Sequence, residues 1–132
     1  MFLPDTNAWI RFLNPGENQV KERLDALHVD SIFVCAVVKA ELYYGAMKSR
    51  QRKDNLALLS DVFRRIRSLP FDDLAAYHCG EVRAALDRAG RPIGPYDLQI
   101  AAIALAHDLT VVTHNTDEFA RVPGLKLEDW EA

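Results

Sequence analysis

The chain has 132 residues and a mass of 14.9 kDa, which is the usual size of one globular domain. Hydrophobic residues make up 49% of it, enough for a core without disulfides, and 16 Lys and Arg against 19 Asp and Glu give a net charge of −3. This composition excludes a disordered acidic chain and a basic tail protein, but not a local basic stripe that contacts nucleic acid.

Short β-like segments alternate with helical segments along the chain. The first half predicts, in chain order, a strand at Met1–Leu3, helices at Asn7–Leu13 and Val20–Leu27, a strand at Ile32–Cys35, and helices at Val37–Lys48 and Asn55–Ile66. The second half predicts a strand at Leu69–Phe71, helices at Leu74–Ala89 and Tyr96–His107, and strands at Thr110–Thr113 and Leu125–Leu127. The alternation predicts an α/β fold with a parallel sheet, helices on both faces, and a site beyond the carboxyl ends of the strands.

No segment of the chain has the features of a membrane span or a signal peptide. The longest apolar runs, Ile32–Val38 and Ile100–Ala106, are far shorter than a span requires. Cys35 and Cys79 are far apart in sequence, and the histidines lack zinc-ligand spacing. We therefore expect one soluble domain, residues 1–132, in the cytoplasm.

Three polar residues directly follow the first predicted strand. Asp5, Thr6 and Asn7 come after Phe2-Leu3-Pro4. One of them can cap the next helix, which leaves the other two without a structural explanation. The functional interpretation makes Asp5 a metal ligand and Asn7 the residue that orients it.

Two further carboxylates lie on predicted helices. Glu41 shares an apolar helix face with Val37 and Val38, so its burial requires a cation, a hydrogen-bond partner or a proton. A buried arginine beside Glu41 is the structural alternative. Asp97 lies in the first turn of a helix, where the helix dipole by itself favours an acid.

The fourth candidate region follows the strand that contains Val111. It is the segment Thr113-His114-Asn115-Thr116-Asp117-Glu118-Phe119, in which the spacing of Asn115 and Glu118 also fits a capping box. Local structure alone can therefore account for these two residues.

These acidic positions meet at one edge if the sheet is parallel. Two carboxylates about 4 Å apart repel by about 4 kcal/mol at an effective dielectric of 20, so a cluster of them requires protons or a bound cation. Ligands that are all oxygen select Mg²⁺ or Mn²⁺ rather than zinc. Such ions activate water and stabilise charge on a phosphate, and the sequence therefore predicts phosphodiester hydrolysis.

The motifs resemble those of PIN-domain ribonucleases, specifically the toxins of VapBC-type toxin–antitoxin pairs, over essentially the whole chain. The markers are, in order, Asp5-Thr6-Asn7, Glu41–Ala46, Pro92–Asp97 with Ile100–Ala102, Val112–Asn115 with Glu118-Phe119, Val122–Leu125 and Glu128–Trp130. The resemblance implies a single three-layer α-β-α domain around a central, mostly parallel sheet of four to five strands. Pro4 departs from the family pattern, because a proline cannot donate to a sheet ladder.

The resemblance also implies the site residues. It carries the family's catalytic and metal-binding acids to Asp5, Glu41, Asp97 and Glu118, with Asp117 as the alternative to Glu118. An acid directly before Phe119 favours Glu118, and Asp5 and Asp97 are expected to contact Mg²⁺, or Mn²⁺, directly. The residues expected to orient ligands, water or phosphate are Asn7, Thr113 and Asn115.

The implied activity is metal-dependent hydrolysis of RNA that leaves 5′-phosphates and 3′-hydroxyls. The most similar toxins cleave tRNA, and the resemblance favours the anticodon stem-loop of initiator tRNA as the substrate. Such toxins inhibit translation until an antitoxin neutralises them. The resemblance further implies a homodimer, a cognate antitoxin that covers the acidic site, and contact with operator DNA only through that antitoxin. No membrane partner is expected.

A basic stretch and several aromatic residues admit two interpretations each. The candidate RNA contacts are Lys48, Arg50, Arg52 and Lys53, and the structural alternative is a solvated loop between helices. Trp9, Tyr43 and Tyr44 are expected in the core or in a dimer interface, with base stacking as the alternative.

Two other classes compete with a nuclease. A phosphoaspartate phosphatase needs a second aspartate where Asn7 stands, and a receiver domain needs an acidic pair after the first strand and a lysine near the last. A PIN module that only binds a partner has no use for four acids. Substitution of Asp5 distinguishes these classes, because a binding module keeps its function without that carboxylate.

Overall fold

The computed structural model describes all 132 residues of the chain. Five strands lie at Phe2–Pro4 (β1), Phe33–Cys35 (β2), Arg67–Leu69 (β3), Thr110–Val112 (β4) and Lys126–Glu128 (β5). The helices are Thr6–Leu13 (α1), Gln19–Ala26 (α2), Ala36–Met47 (α3), Arg52–Phe63 (α4), Asp73–Arg88 (α5), Pro95–His107 (α6) and Thr116–Phe119 (α7), with a 3-10 turn at Val29–Ser31.

Every pair of neighbouring strands runs parallel. β1 pairs with β4, β4 with β5, and β2 with β3. A single parallel bridge between Phe2 and Ile32 joins the two groups, so the strands lie in the order β3-β2-β1-β4-β5. The expected α/β fold with a parallel sheet of four to five strands is confirmed, and the carboxyl ends of all strands share one edge.

One hydrophobic core of 30 buried residues holds the layers together. All three residues of β2 are buried although their side chains alternate between faces, which requires helices on both faces of the sheet. The middle of α6, around Ile100 and Ile103, is fully buried, as its almost continuous apolar sequence predicts. Trp9 from α1 and Phe119 from α7 are the largest fully buried side chains.

Pro4 is part of β1, one residue beyond the predicted end of the strand, without disturbing the ladder to β4. The Asp5 N–H donates to the Val112 carbonyl at 2.9 Å, and the Met1 carbonyl accepts from the Thr110 N–H at 3.0 Å. Because alternate residues of a strand bond to opposite neighbours, the missing N–H of Pro4 faces β2, where pairing is limited to the bridge at Phe2. The proline therefore leaves the position of Asp5 intact.

Several element boundaries differ from the sequence prediction, and one short helix was not predicted. The strand expected at Leu69–Phe71 lies at Arg67–Leu69, because Pro70 has no N–H with which to extend it. Helix α4 begins at Arg52, so the last two residues of the basic stretch belong to a helix rather than to a loop. Helix α7 has four residues, which is too short to produce a periodic pattern. None of the helices is long and apolar enough to cross a membrane.

Candidate active site

Asp5 caps α1 and also faces the carboxyl edge of the sheet. Its Oδ1 accepts a hydrogen bond from the Ala8 N–H at 2.9 Å, and its Oδ2 accepts one from the Thr113 hydroxyl at 2.6 Å. The side chain is buried, and burial raises the pKa of this carboxyl, although the two hydrogen bonds work against that shift. The capping contact thus leaves Asp5 at the carboxyl edge, where its second oxygen is held by Thr113.

Glu41 reaches the same edge from α3. Its Oε1 accepts a hydrogen bond of 2.6 Å from the Thr6 hydroxyl, and the side chain is half-buried. The buried arginine considered as a structural partner is absent, because no cation forms an ion pair with Glu41. The negative charge of Glu41 contributes to the raised pKa values of Asp5 and Asp97.

Asp97, in the first turn of α6, lies next to Glu118 of α7. The Asn115 amide donates to Glu118 Oε2 at 2.6 Å and lies 3.5 Å from Asp97 Oδ2, while the Gly94 N–H donates to Glu118 Oε1 at 3.1 Å. Burial, a hydrogen bond with Glu118, and the charges of Glu118, Asp5 and Glu41 raise the pKa of Asp97 to about 7. The hydrogen bond with Asp97 lowers the pKa of Glu118.

The capping-box interpretation of Asn115 and Glu118 is wrong. Asn115 precedes α7, but its side chain makes no capping hydrogen bond to that helix. Its amide bonds Glu118 and approaches Asp97 instead. The Asn115 N–H also donates to the Thr113 hydroxyl oxygen at 2.9 Å, which links the support of Glu118 to the support of Asp5.

Asp117 and Glu118 differ sharply in their surroundings. Asp117 is exposed and makes neither a hydrogen bond nor an ion pair, whereas Glu118 accepts two hydrogen bonds and interacts with Asp97. We expect Glu118→Gln to weaken Mg²⁺ binding about tenfold or more, because it removes a ligand charge, and Asp117→Asn to leave binding unchanged. Calorimetric titration of both variants with Mg²⁺ checks this prediction. An equal loss of affinity in the two variants would contradict the assignment of Glu118 as the fourth acid.

Two of the predicted features make no hydrogen bond or ion pair with the four acids. Asn7 is exposed and makes no side-chain hydrogen bond to Asp5, whose orientation comes instead from Thr113 and the Ala8 N–H. The basic residues extend from the end of α3 into the first turn of α4, exposed and without ion pairs: Lys48, Arg50, Arg52 and Lys53.

Sequence reasoning missed several residues that the fold brings to the site. Thr6 bonds Glu41, a role that its place between Asp5 and Asn7 could have suggested. Arg121 donates to the Pro92 carbonyl at 2.9 Å and its charge lowers the pKa of Glu118. No sequence signal points to Arg121, because its partner is a backbone atom of a distant loop.

A second group of titratable residues lies beside the four acids. His114, Asp129 and Glu131 approach within 4.8 Å of one another, with 3.1 Å between His114 Nδ1 and Asp129 Oδ2. Glu131 also pairs with Arg11 at 3.2 Å, and its charge contributes to the raised pKa of Asp5. Because Arg11 already neutralises Glu131, this group suits a cation less well than the four acids do.

The donor set of the four acids fits a hard divalent cation. One carboxylate directly follows β1 and the other three lie on α3, α6 and α7, and no Lys, Arg or His forms an ion pair with any of them. Burial, together with the charges of the other three acids, raises the pKa of Asp97 to about 7. A bound Mg²⁺ or Mn²⁺ would relieve the repulsion between these charges with the oxygen ligands that those ions prefer.

Comparison with known proteins agrees with this geometry. The family model of the PIN domain matches residues 2–125. The chain is 40% identical to the tRNA(fMet)-specific endonuclease VapC of Salmonella typhimurium over 129 residues, which cover 98% of this chain and 97% of the relative. It is 43% identical to the protein of the same name from Shigella flexneri, with the same coverage.

Solved structures show the same similarity in three dimensions. The crystal structure of DNA-bound VapBC from Salmonella typhimurium matches with a TM-score of 0.89 at 40% identity, covering 98% of this chain and 97% of that one. VapBC2 from Rickettsia felis, bound to a DNA fragment from its promoter, matches with a TM-score of 0.90 at 33% identity and 98% coverage of both chains. The chain therefore belongs to the PIN-domain family and, within it, to the VapC group.

Proposed function

We propose that the chain is a Mg²⁺-dependent endoribonuclease toxin of a type II toxin–antitoxin pair, acting as a single PIN domain in the cytoplasm. It hydrolyses phosphodiester bonds of tRNA and so inhibits translation until its antitoxin neutralises it. The observation that carries the proposal is the group of four acids at one sheet edge, none of which forms an ion pair. Hydrogen bonds through Thr113 and Asn115 connect Asp5, Asp97 and Glu118 within it. Mn²⁺ is the natural substitute for Mg²⁺ at such a site.

Some residues of the site bind the cation, and others orient the carboxylates that bind it. Asp5 and Asp97 hold the cation directly, with Glu41 and Glu118 completing the negative site. Thr113 and Asn115 keep Asp5 and Glu118 in place through hydrogen bonds of 2.6 Å each.

Catalysis also requires that Asp97 release its proton. When bound, a divalent cation activates water and stabilises charge that develops on the phosphate. Because the pKa of Asp97 is raised to about 7, Mg²⁺ affinity should rise as the pH increases through that value. Since water is the nucleophile, the products carry 5′-phosphates and 3′-hydroxyls.

The substrate and the partners are proposed from the relatives. Two relatives, 40% and 43% identical, are named as tRNA(fMet)-specific endonucleases, and this chain matches them almost end to end. Initiator tRNA, cut in its anticodon stem-loop, is therefore the proposed substrate. The VapBC structures support a cognate antitoxin as the partner of this chain. The toxin forms a homodimer, and it contacts operator DNA only through the antitoxin.

Cleavage of total tRNA by the purified chain tests the proposed function. With Mg²⁺ we expect discrete fragments that bear 5′-phosphates, and with excess EDTA we expect none, because the four acids then lack their cation. Fragment ends are mapped by their susceptibility to a 5′-phosphate-dependent exonuclease. Cleavage that persists in EDTA, or fragments with cyclic phosphates, would contradict the mechanism; intact tRNA beside cleaved ribosomal or messenger RNA would contradict the substrate.

A further inference from the structure

A cleft beside the four acids is bordered by two exposed tyrosines. It has a volume of about 730 Å³ and lies between α1, α3 and α6. Tyr44 on α3 is 66% exposed and Tyr96 at the start of α6 is 58% exposed. Glu41 lies in the wall of the same cleft, so the cleft is continuous with the acidic site.

The two tyrosines have no structural role that accounts for their exposure. Neither ring stacks on another aromatic residue, and neither hydroxyl makes a hydrogen bond within the chain. The neighbouring Tyr43 differs, because it is partly buried and packs edge-to-face on Phe63 with the ring centroids 5.6 Å apart. Tyr43 therefore belongs to the core, and Tyr44 is the tyrosine that faces outward.

The remaining wall of the cleft offers an apolar surface with amides at its border. Ile10, Val37 and Ala40 supply apolar contacts, while Asn7 and Gln99 supply amide donors and acceptors. The Lys48 ammonium lies 4.8 Å from the centre of the Tyr44 ring and has no ion-pair partner. Aromatic faces, amides and a cation are the three groups with which proteins bind the base, the base edge and the phosphate of an unpaired nucleotide.

We propose that this cleft binds an unpaired nucleotide next to the scissile phosphate, with its base stacked on Tyr44 or Tyr96 and its edge on Asn7 and Gln99. The inference rests on the proposed function, because it requires that RNA reach the acids. It extends that function by selecting splayed single-stranded segments over duplex, since a paired and stacked base exposes no face to a tyrosine. It also gives Asn7 a role in binding substrate rather than in orienting Asp5.

RNA binding by tyrosine variants tests the subsite in a chain that binds but does not cut. In an Asp5→Asn parent, fluorescence anisotropy with Mg²⁺ compares a labelled single-stranded RNA octamer with the same octamer in a duplex. Tyr44→Leu and Tyr96→Leu should each weaken octamer binding about tenfold and leave the weaker duplex binding unchanged. Tyr44→Phe and Tyr96→Phe should bind within about twofold of the parent, because the aromatic face remains.

Tyr77 supplies the matched control. It is 69% exposed on α5 and does not border the cleft, so Tyr77→Leu should bind the octamer as the parent does. Equal octamer binding by parent and leucine variants overturns the subsite alone, whereas a parent that binds neither RNA overturns the proposed function as well. Leucine variants that change the mass in light scattering but not RNA binding would assign the cleft to a second copy of the chain.

Discussion

Asp5→Asn should lower kcat/KM for RNA cleavage by about a thousandfold or more while the chain stays folded. The substitution removes one charge from the centre of the acidic site, and a loss of this size corresponds to about 4 kcal/mol of transition-state stabilisation. The fold should survive, because an asparagine oxygen can still accept from the Ala8 N–H and cap α1. Cleavage is measured under initial-rate conditions, and folding by circular dichroism.

Asp72→Asn is the matched control for Asp5→Asn. Asp72 caps α5 in the same way, with its Oδ1 accepting from the Ala75 N–H at 3.0 Å, but it is exposed and makes no hydrogen bond with the four acids. Activity should therefore be unchanged in Asp72→Asn. If both variants lost activity to the same extent, the effect of Asp5→Asn would come from the helix cap and not from the metal site.

Asp97→Asn should abolish cleavage and yet stabilise the metal-free chain. In the folded state the pKa of Asp97 is raised to about 7. A raised pKa means that the folded chain binds the proton more tightly than the unfolded chain does. The contribution of this proton to the free energy of unfolding is therefore fully present below the unfolded pKa of about 4, and it is lost as the pH rises through about 7. Asparagine carries no charge and avoids this loss.

Thermal unfolding in EDTA measures that effect. Because Asp97 is only half-buried, we discount the pKa shift for solvent screening and expect a gain of about 1 kcal/mol at pH 8, which is a few degrees in Tm. At pH 4 the gain should vanish, and the exposed Asp117→Asn should show no gain at either pH. A loss of stability in Asp97→Asn at pH 8 would mean that the four acids do not repel one another.

The sequence predicted the parts of the site that lie at the ends of regular elements. Asp5, Glu41 and Asp97 could be located because an acid after a strand or on an apolar helix face is conspicuous, and a parallel sheet brings such positions to one edge. Glu118 rested on the resemblance alone, since Asp117 has the same charge one residue earlier. What separates the two is the direction of each side chain on a helix of four residues, which no periodicity reveals.

The remaining errors share one cause, which is contact between residues distant in sequence. Thr6 reaches Glu41 across 35 residues, and Arg121 reaches a backbone carbonyl 29 residues away. The place of Pro4 within β1 could not be decided either, because the harmless direction of its missing N–H depends on which strand lies on which side. Local patterns carry no information about such partners until the topology is known.

Anomalous diffraction from crystals soaked in Mn²⁺ tests the metal centre most directly. We expect a peak enclosed by Asp5, Glu41, Asp97 and Glu118, with carboxylate oxygens of Asp5 and Asp97 within about 2.5 Å of it. The peak should disappear in crystals of Asp97→Asn. A peak at His114, Asp129 and Glu131, with none between the four acids, would contradict the proposed metal site. The metal would then be assigned to that neighbouring group.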